Sequence, residues 1–207
     1  MFQIDMQLAK QRYRRLSAQY DYATRRIEPI RKLAIDALHL ERGQRVLDVA
    51  CGTGKSFGML REAVGPEGVV VGVEQSPDML QQAFERVRKG GWDNVQLIES
   101  SMESAALEGP FDAVLFVYTQ DVLQSNKGLA RIFEATQPGT RVASTGLKLF
   151  PWYLGIANVW LLAISYPYFT TFKGLSRPWA PLEHYVDLHD VRSTFMGSGY
   201  IAEGVRR

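Results

Sequence analysis

The apolar run at residues 69–73 constrains the fold of this chain more than any other feature. Val-Val-Val-Gly-Val is typical of a strand that is buried on both faces of a parallel sheet. Further short strands are predicted, and segments with helical spacing separate most of them. This alternation predicts an α/β fold with a parallel sheet and right-handed crossovers. The other predicted strands lie at residues 45–50, 95–98, 111–118 and 140–145.

Further elements are predicted at the two ends of the chain. Apolar residues recur at three- and four-residue steps through residues 7–40, which predicts one or two helices. At the other end, two extended runs flank Gly197-Ser198-Gly199, which predicts an antiparallel hairpin. We therefore expect a Rossmann-like, doubly wound sheet of seven strands, mostly parallel, with an antiparallel C-terminal hairpin strand and helices on both faces.

One domain is expected to occupy residues 1–207. Within it we predict four parts, which are N-terminal helices (1–42), a cofactor-binding core (43–146), a substrate-side insert or lid (147–188) and a closing hairpin (189–207). A further helix is predicted to begin at Ser76-Pro77-Asp78, with Ser76 as its cap.

The composition excludes some kinds of site and some locations for the protein. The single cysteine, Cys51, excludes an internal disulfide, and the three histidines do not show zinc-ligand spacing, so no metal site is expected. No secretory signal is visible, and a cytoplasmic location is expected. Residues 1–45 carry a net charge of +5 from ten Lys or Arg and five Asp or Glu. This start suits either a solvated helical surface or contact with an anionic partner.

The loop at residues 50–56, Ala-Cys-Gly-Thr-Gly-Lys-Ser, contains partial versions of three nucleotide-binding loops. A phosphate loop for ATP or GTP needs a glycine at position 49, which is valine. A dinucleotide fingerprint needs a third glycine at position 57, which is phenylalanine. The acid that this fingerprint requires is present, because Glu74 follows Gly54 by 20 residues.

A third interpretation accounts for every residue of the loop. Residues 46–54, Val-Leu-Asp-Val-Ala-Cys-Gly-Thr-Gly, resemble the first motif of class I S-adenosylmethionine-dependent methyltransferases. Residues 72–80, Gly-Val-Glu-Gln-Ser-Pro-Asp-Met-Leu, resemble their second motif. The likeness extends over about residues 18–145 and is widest to the ubiquinone/menaquinone-biosynthesis-like and small-molecule methyltransferases.

This resemblance implies S-adenosylmethionine as cofactor, S-adenosylhomocysteine as product and a set of cofactor contacts. Glycines 52 and 54 would admit the ligand to the backbone, Glu74 would accept hydrogen bonds from the ribose hydroxyls, and Asp48 would contact the methionine end. Where the family usually has an Asp beside the adenine, this chain has Ser101 and Met102. The implied cofactor set is Asp48, Ala50, Cys51, Gly52, Thr53, Gly54, Glu74, Gln75, Met79, Ser101, Met102 and Phe116.

The chemistry implied is methyl transfer to a small, apolar or aromatic molecule. The sulfonium already activates the methyl group, so alignment of the acceptor supplies most of the acceleration. A base is needed only when the acceptor must lose a proton. Candidates are Tyr20, Tyr118 and His184, which form no recognisable dyad. Cys51 is expected to be a small loop residue and not a nucleophile. A non-catalytic module that only binds the cofactor is an alternative.

Residues 149–172 form a stretch of 24 residues without charge. Its length would allow a membrane span, but Pro151, Gly155 and Pro167 interrupt it, and a span would break the sheet. Two interpretations stay open. Either the stretch is a lid whose aromatic residues line an apolar pocket, or it contacts a membrane and takes a phospholipid or quinone-type acceptor. Nucleic acid is not expected as a partner, because no basic patch contains interleaved aromatic residues.

Overall fold

Seven strands form one sheet in the computed structural model, which describes residues 24–165 and 172–207. The order across the sheet is β3-β2-β1-β4-β5-β7-β6. The first five strands are parallel to one another, and β7 pairs antiparallel to both β5 and β6. The predicted mostly parallel, seven-stranded sheet is therefore confirmed. The strands are β1 (Arg45–Val49), β2 (Val69–Glu74), β3 (Val95–Glu99), β4 (Phe111–Val117), β5 (Thr136–Leu147), β6 (Val186–Thr194) and β7 (Gly199–Arg206).

Helices follow β1, β2, β4 and β5, as the alternating pattern predicts, whereas residues 100–110 connect β3 to β4 without a helix. Short 3₁₀ turns also occur at Thr24–Ile27, Trp152–Leu154, Ala180–His184 and Phe195–Gly197. Of the predicted N-terminal helices, the part at residues 7–23 lies outside the described residues. The α-helices are α1 (Glu28–Asp36), α2 (Phe57–Val64), α3 (Pro77–Gly90), α4 (Gln120–Leu123), α5 (Asn126–Glu134) and α6 (Gly155–Ser165).

The start of α3 differs in one detail from its prediction. Pro77 and Asp78 lie in the first turn, and Gly91 ends the helix with a left-handed φ of 60°. Proline is common in the first turn of a helix and glycine is common at its end. Ser76 holds the cap position, but its side chain makes no capping hydrogen bond. Its Oγ is buried with no hydrogen-bond partner among the described residues, so the predicted side-chain cap is wrong. The N–H of Ser76 instead donates to Glu74, which holds the residue at the end of β2.

Side chains alternate between the two faces of the sheet and build two cores. Val46 and Leu115 point to the face covered by α1 and α2. Leu47 and Phe116 point to the opposite face, which α5 covers. Because a strand presents successive side chains to opposite faces, burial on both faces requires the near-continuous apolar runs seen in the sequence.

Strand β5 runs from Thr136 to Leu147 and exceeds its predicted bounds at both ends, and β6 begins at Val186, before the hairpin predicted at residues 189–207. Antiparallel pairing explains the extension of β5 to Leu147, since β7 pairs with β5 as far as the partners Leu147 and Gly199. Because β7 is distant in the sequence, no pattern within residues 140–145 could predict this extension. Within the described residues, no helix is both long and apolar enough to cross a membrane.

The carboxyl ends of the parallel strands meet at one edge of the sheet. Val49 of β1 pairs with Val73 of β2 and Phe116 of β4, and Val117 of β4 pairs with Thr145 of β5. In open α/β sheets this edge is where ligands bind. The loop at residues 50–56 and the uncharged insert after β5 both leave the sheet there.

Candidate cofactor and acceptor site

The loop between β1 and α2 has a tightly turned backbone. Ala50, Gly52 and Gly54 have φ angles of 49°, 57° and 72°, the left-handed region that glycine adopts most readily. The N–H of Cys51 donates to the carbonyl of Val73 at 3.0 Å, and Arg86 of α3 donates to the carbonyl of Thr53 at 2.9 Å. The loop is therefore held from two sides.

Phe57 explains why the loop lacks a third glycine. Its buried ring packs against two glycines, so that a Cβ at Gly54 would lie 2.4 Å from the ring and a Cβ at Gly72 would lie 2.6 Å from it. By contrast, a Cβ at Gly52 would meet nothing within 4 Å. Gly54 thus serves packing, whereas Gly52 leaves open space over the loop.

Glu74 ends β2 with a carboxylate held by backbone donors. Oε2 accepts a hydrogen bond from the N–H of Gly52 at 3.0 Å, and Oε1 accepts one from the N–H of Ser76 at 2.7 Å. Burial raises the pKa of Glu74, and these backbone hydrogen bonds oppose the rise. Each carboxylate oxygen has a second lone pair, so the group can still accept hydrogen bonds from a bound diol.

A buried polar network lies beneath the loop. Arg31 of α1 donates from Nη1 to Ser56 Oγ at 3.2 Å, and Ser56 hydrogen-bonds Asp48. Burial raises the pKa of Asp48 to about 7, although Arg31 and Ser56 both act to lower it. The second oxygen, Oδ2, is buried with no hydrogen-bond partner in the described residues, which is the state expected of an acceptor that awaits a donor from a ligand.

Five of the predicted cofactor residues line one cavity. It opens between α1, β1 and the loop, and it reaches Val117 at the end of β4. Two of its other residues, Ile27 and Arg31, come from the N-terminal region, for which the sequence pattern indicated only a helical surface. The predicted residues that line it are Asp48, Ala50, Cys51, Gly52 and Thr53.

The remaining predicted cofactor residues have different surroundings. Ser101 lies in the loop after β3, where the N–H of Ser100 donates to the Glu74 carbonyl at 3.1 Å, and Gln75 follows Glu74 directly. Met102 and Phe116 are buried in one apolar core cluster. Neither of them lines the cavity under the loop. Met79 is also buried, at the start of α3.

Cys51 is buried in the loop, and its surroundings keep the thiol protonated. Burial raises the pKa of the thiol well above its usual range, and the nearby carboxylates Asp48 and Glu74 raise it further. Because the thiolate is the reactive form, these surroundings favour the predicted role of a small packing residue.

The three candidates for a base do not come together. Tyr20 lies outside the described residues. Tyr118 follows β4 at the edge that carries the cavity, and its φ of 59° is unusual for a residue with a side chain. His184 precedes β6, whose first residue pairs with Arg206, at the opposite edge of the sheet. The structure therefore does not bring His184 to the site.

An aromatic group that no sequence pattern indicated lies beside Tyr118. Tyr200 of β7 is fully buried and hydrogen-bonds Ser144 of β5 at 2.9 Å. Its ring lies 5.0 Å from that of Trp179. Burial raises the pKa of Tyr200, and Tyr118 raises it further, so the Tyr200 hydroxyl is not a base. We call Tyr118, Trp179 and Tyr200 the aromatic wall.

Comparison with known proteins gives the family. The profile of a family described as "Methyltransferase domain" matches residues 40–152, which include the loop, Glu74 and most of the sheet. The chain belongs to this methyltransferase family. It is an S-adenosylmethionine-dependent methyltransferase, as its two motifs predict, and an enzyme rather than only a binding module.

Individual relatives agree with this assignment. The methyltransferase is 28% identical over 177 residues to the demethylmenaquinone methyltransferase of Listeria welshimeri, covering 84% of this chain and 72% of that protein. It is 32% identical over 134 residues to the enzyme of that name from Geobacillus kaustophilus, covering 61% of this chain and 57% of that protein. A solved SAM-dependent methyltransferase from Aquifex aeolicus shares the fold, with a TM-score of 0.65, 19% identity and coverage of 86% and 89% of the two chains.

The site's donors and acceptors fit the family's cofactor. Gly52 leaves space at the backbone, Glu74 offers a buried carboxylate to a diol, and Asp48 has a buried oxygen without a partner among the described residues. When bound, S-adenosylmethionine supplies a methyl group that is already activated on a sulfonium. The protein's own contribution is to orient the two reactants and keep water from the reacting centre.

Proposed function

We propose that this methyltransferase transfers the methyl group to a small, apolar or aromatic acceptor that binds against the aromatic wall. In this proposal, Glu74 holds the ribose hydroxyls and Asp48 contacts the methionine end of the cofactor. The loop residues Ala50–Gly54 lie along the cofactor between them. The acceptor approaches from the ends of β4 and β5.

The observation that carries this proposal is the position of the aromatic wall. Val117 lines the cavity under the loop, and Tyr118 is the next residue along the chain. Tyr200 pairs with Gly146 near the end of β5 and packs against Trp179. Flat aromatic side chains orient a planar or apolar molecule by stacking and exclude water from it. A highly charged acceptor gains little from such surroundings.

Positioning, rather than a dedicated base, is the catalytic principle we propose. Tyr118 is the one candidate base among the described residues that lies at the site's edge, and its hydroxyl is a weak base at neutral pH. An acceptor that is already nucleophilic, such as an amine or an ionised quinol, needs no stronger group. Orientation of this kind can supply roughly 7–11 kcal/mol of the barrier.

A turnover assay tests this function. The purified protein is incubated with labelled cofactor and matched sets of amines, phenols and hydroquinones, each in an apolar and a charged version. We expect transfer to the apolar versions, and a several-fold higher KM for Trp179→Ala than for the control Phe84→Ala, which alters an exposed ring on α3. Preference for the charged versions, or equal KM in both variants, would contradict the proposal.

A quinone-type acceptor is the more specific candidate. The name of the two relatives, demethylmenaquinone methyltransferase, favours it, and so does the aromatic wall, since a hydroquinone ring is planar. In the turnover assay a demethylated naphthoquinol should then exceed an amine of similar size. If the amine is the better substrate, the proposal of an apolar acceptor is kept and the proposal of a quinone-type acceptor is rejected.

A further inference from the structure

The insert after β5 exposes large apolar side chains to solvent. Trp152, Ile156 and Trp160 have relative exposures of 89%, 91% and 64%. Of the two interpretations of the stretch, the one in which its aromatic residues line a pocket does not fit the outward positions of Trp152 and Trp160. Contiguous exposed apolar groups of this kind mark an interaction surface.

The insert is folded although it exposes these side chains. Asn158 of α6 accepts a hydrogen bond from the N–H of Phe150 at 2.8 Å and donates one to its carbonyl at 3.1 Å. These bonds fasten α6 to the chain that enters it. Leu161 and Ser165 are buried, so one side of the helix is covered while Ile156 and Trp160 face outward.

The turn between β6 and β7 adds to the same surface. Phe195 and Met196 have φ angles of 46° and 55°, which are costly for residues with side chains, and Met196 is fully exposed at 101%. A Cβ at Gly197 would lie 3.5 Å from the ring of Phe150, so the turn lies beside the insert. We call Trp152, Tyr153, Ile156, Trp160, Phe195 and Met196 the apolar tip.

The charges at the two ends of the uncharged stretch have one sign. No charged residue occurs from 149 to 172, and lysines stand on both sides, at positions 148 and 173. The N–H of Leu149 donates to the carbonyl of Leu175 at 2.8 Å, which brings the two ends of the stretch together. The tip therefore has an uncharged surface and basic residues at its base.

We propose that the apolar tip docks into the surface of a lipid bilayer. Exposed Trp and Tyr side chains favour the boundary between head groups and acyl chains, and lysines at the base complement the negative lipid phosphates. Helix α6 has 11 residues, or about 16 Å at the rise of an α-helix, which suits a helix lying in the boundary rather than crossing the roughly 30 Å hydrocarbon core.

The position of the tip connects this docking to the chemistry. The insert and the turn at residues 195–197 both lie at the edge of the sheet that carries the aromatic wall, because Leu147 pairs with Gly199. This connection rests on the proposed function. A lipophilic acceptor in the bilayer would reach Tyr118 and Trp179 without crossing bulk water.

Vesicle flotation tests the docking. Vesicles of phosphatidylcholine and phosphatidylglycerol (three to one) are mixed with the full chain, with the double variant Trp152→Glu/Ile156→Glu and with the control Phe84→Glu. We expect the full chain and the control to float, and the partition of the double variant to fall at least about tenfold, since two exposed apolar side chains that would enter the bilayer are replaced by charges. A full chain that stays at the bottom, or a double variant that floats equally well, would overturn the proposal.

Two further measurements distinguish docking on lipid from self-association and from misfolding. Sedimentation velocity without lipid would reveal a dimer that the double variant dissociates; such a dimer, together with no flotation, would show that a second copy covers the tip. Titration of S-adenosylhomocysteine should give the same affinity for the full chain and the double variant, which shows that the variant is folded. Flotation without methyl transfer to any apolar acceptor would overturn the proposed function alone, and transfer without flotation would overturn the docking alone.

Discussion

Glu74 Oε2 accepts a hydrogen bond from the N–H of Gly52 at 3.0 Å, so the end of β2 is joined directly to the loop after β1. The two residues belong to the two motifs that the sequence offers for the cofactor, 22 positions apart. A buried carboxylate held in one orientation loses little freedom when a ligand binds. This bond therefore joins the two motifs into one candidate site.

Gly52 and Gly54 should respond differently to alanine, although both have left-handed φ angles. Gly54→Ala places a methyl group 2.4 Å from the buried Phe57 ring, and we expect a loss of roughly 2–4 kcal/mol in the free energy of unfolding. Gly52→Ala meets no protein atom within 4 Å, so it should cost only about 1–2 kcal/mol. Urea denaturation measures both.

Of the same two variants, Gly52→Ala should lose the more cofactor affinity, although Gly54→Ala should lose the more stability. The methyl group of Gly52→Ala enters the open space over the loop and should weaken S-adenosylhomocysteine binding at least tenfold in a calorimetric titration. Equal unfolding losses for the two variants, or unchanged affinity for Gly52→Ala, would be inconsistent with separate packing and ligand roles.

Asp48 should make stability fall as pH rises. Its pKa in the folded protein is about 7, against 3.8 for the unperturbed group, so the folded state holds the proton over a range where the unfolded chain has lost it. The resulting loss in the free energy of unfolding is absent below about pH 4, grows between about pH 4 and pH 7, and reaches up to about 4 kcal/mol above pH 7. Asp48→Asn should flatten this dependence in urea denaturation at pH 5, 6.5 and 8.

The matched control is Asp93→Asn, which alters an exposed carboxylate. This variant should keep the slope of the original protein between pH 5 and pH 8. If Asp48→Asn keeps that slope as well, the carboxyl of Asp48 is not the group that titrates.

Tyr200→Phe tests the buried hydroxyl in the aromatic wall. The change keeps the ring against Trp179 but removes the hydrogen bond to Ser144. We expect a loss of about 1–2 kcal/mol in unfolding free energy, because Ser144 keeps a buried hydroxyl. The pH profile of methyl transfer should not change, since burial raises the pKa of this phenol. A shifted profile would mean that Tyr200 exchanges a proton during catalysis.

The sheet and the geometry at the centre of the candidate site could be predicted because their signals are local. A buried parallel strand must be apolar along its whole length, and a loop that bends between β1 and α2 must use residues such as Gly52. The position of Glu74 could be predicted because it follows Gly54 by 20 residues, the length of chain that connects the ends of two adjacent parallel strands.

Arg31 could have been predicted as a buried residue from its position on the helix. It lies on the same helical face as Ile27, Ala34 and Leu38, where spacing alone predicts burial. A buried arginine needs an acidic or hydroxyl partner, and the structure supplies Ser56 and Asp48. The partner Ser56 could not be predicted, since it comes from a contact between α1 and the loop.

The outward direction of Trp152 and Trp160 could not be predicted from the sequence. The insert is apolar on every side, so its periodicity does not distinguish a lid from an outer surface. The Asn158 contacts with Phe150 and the burial of Leu161 set the orientation of α6. Packing against the rest of the protein therefore decided what the pattern left open.

The most direct test of the central claim is a calorimetric titration of S-adenosylhomocysteine into the original protein, Glu74→Ala and the control Glu67→Gln, with NADH and ATP as competing ligands. We predict that the protein binds S-adenosylhomocysteine but neither competitor. Affinity should weaken by about 1–3 kcal/mol in Glu74→Ala, because the ribose loses its acceptor, and stay unchanged in Glu67→Gln. Tighter binding of NADH, or equal affinity in all three proteins, would contradict the assignment of the site.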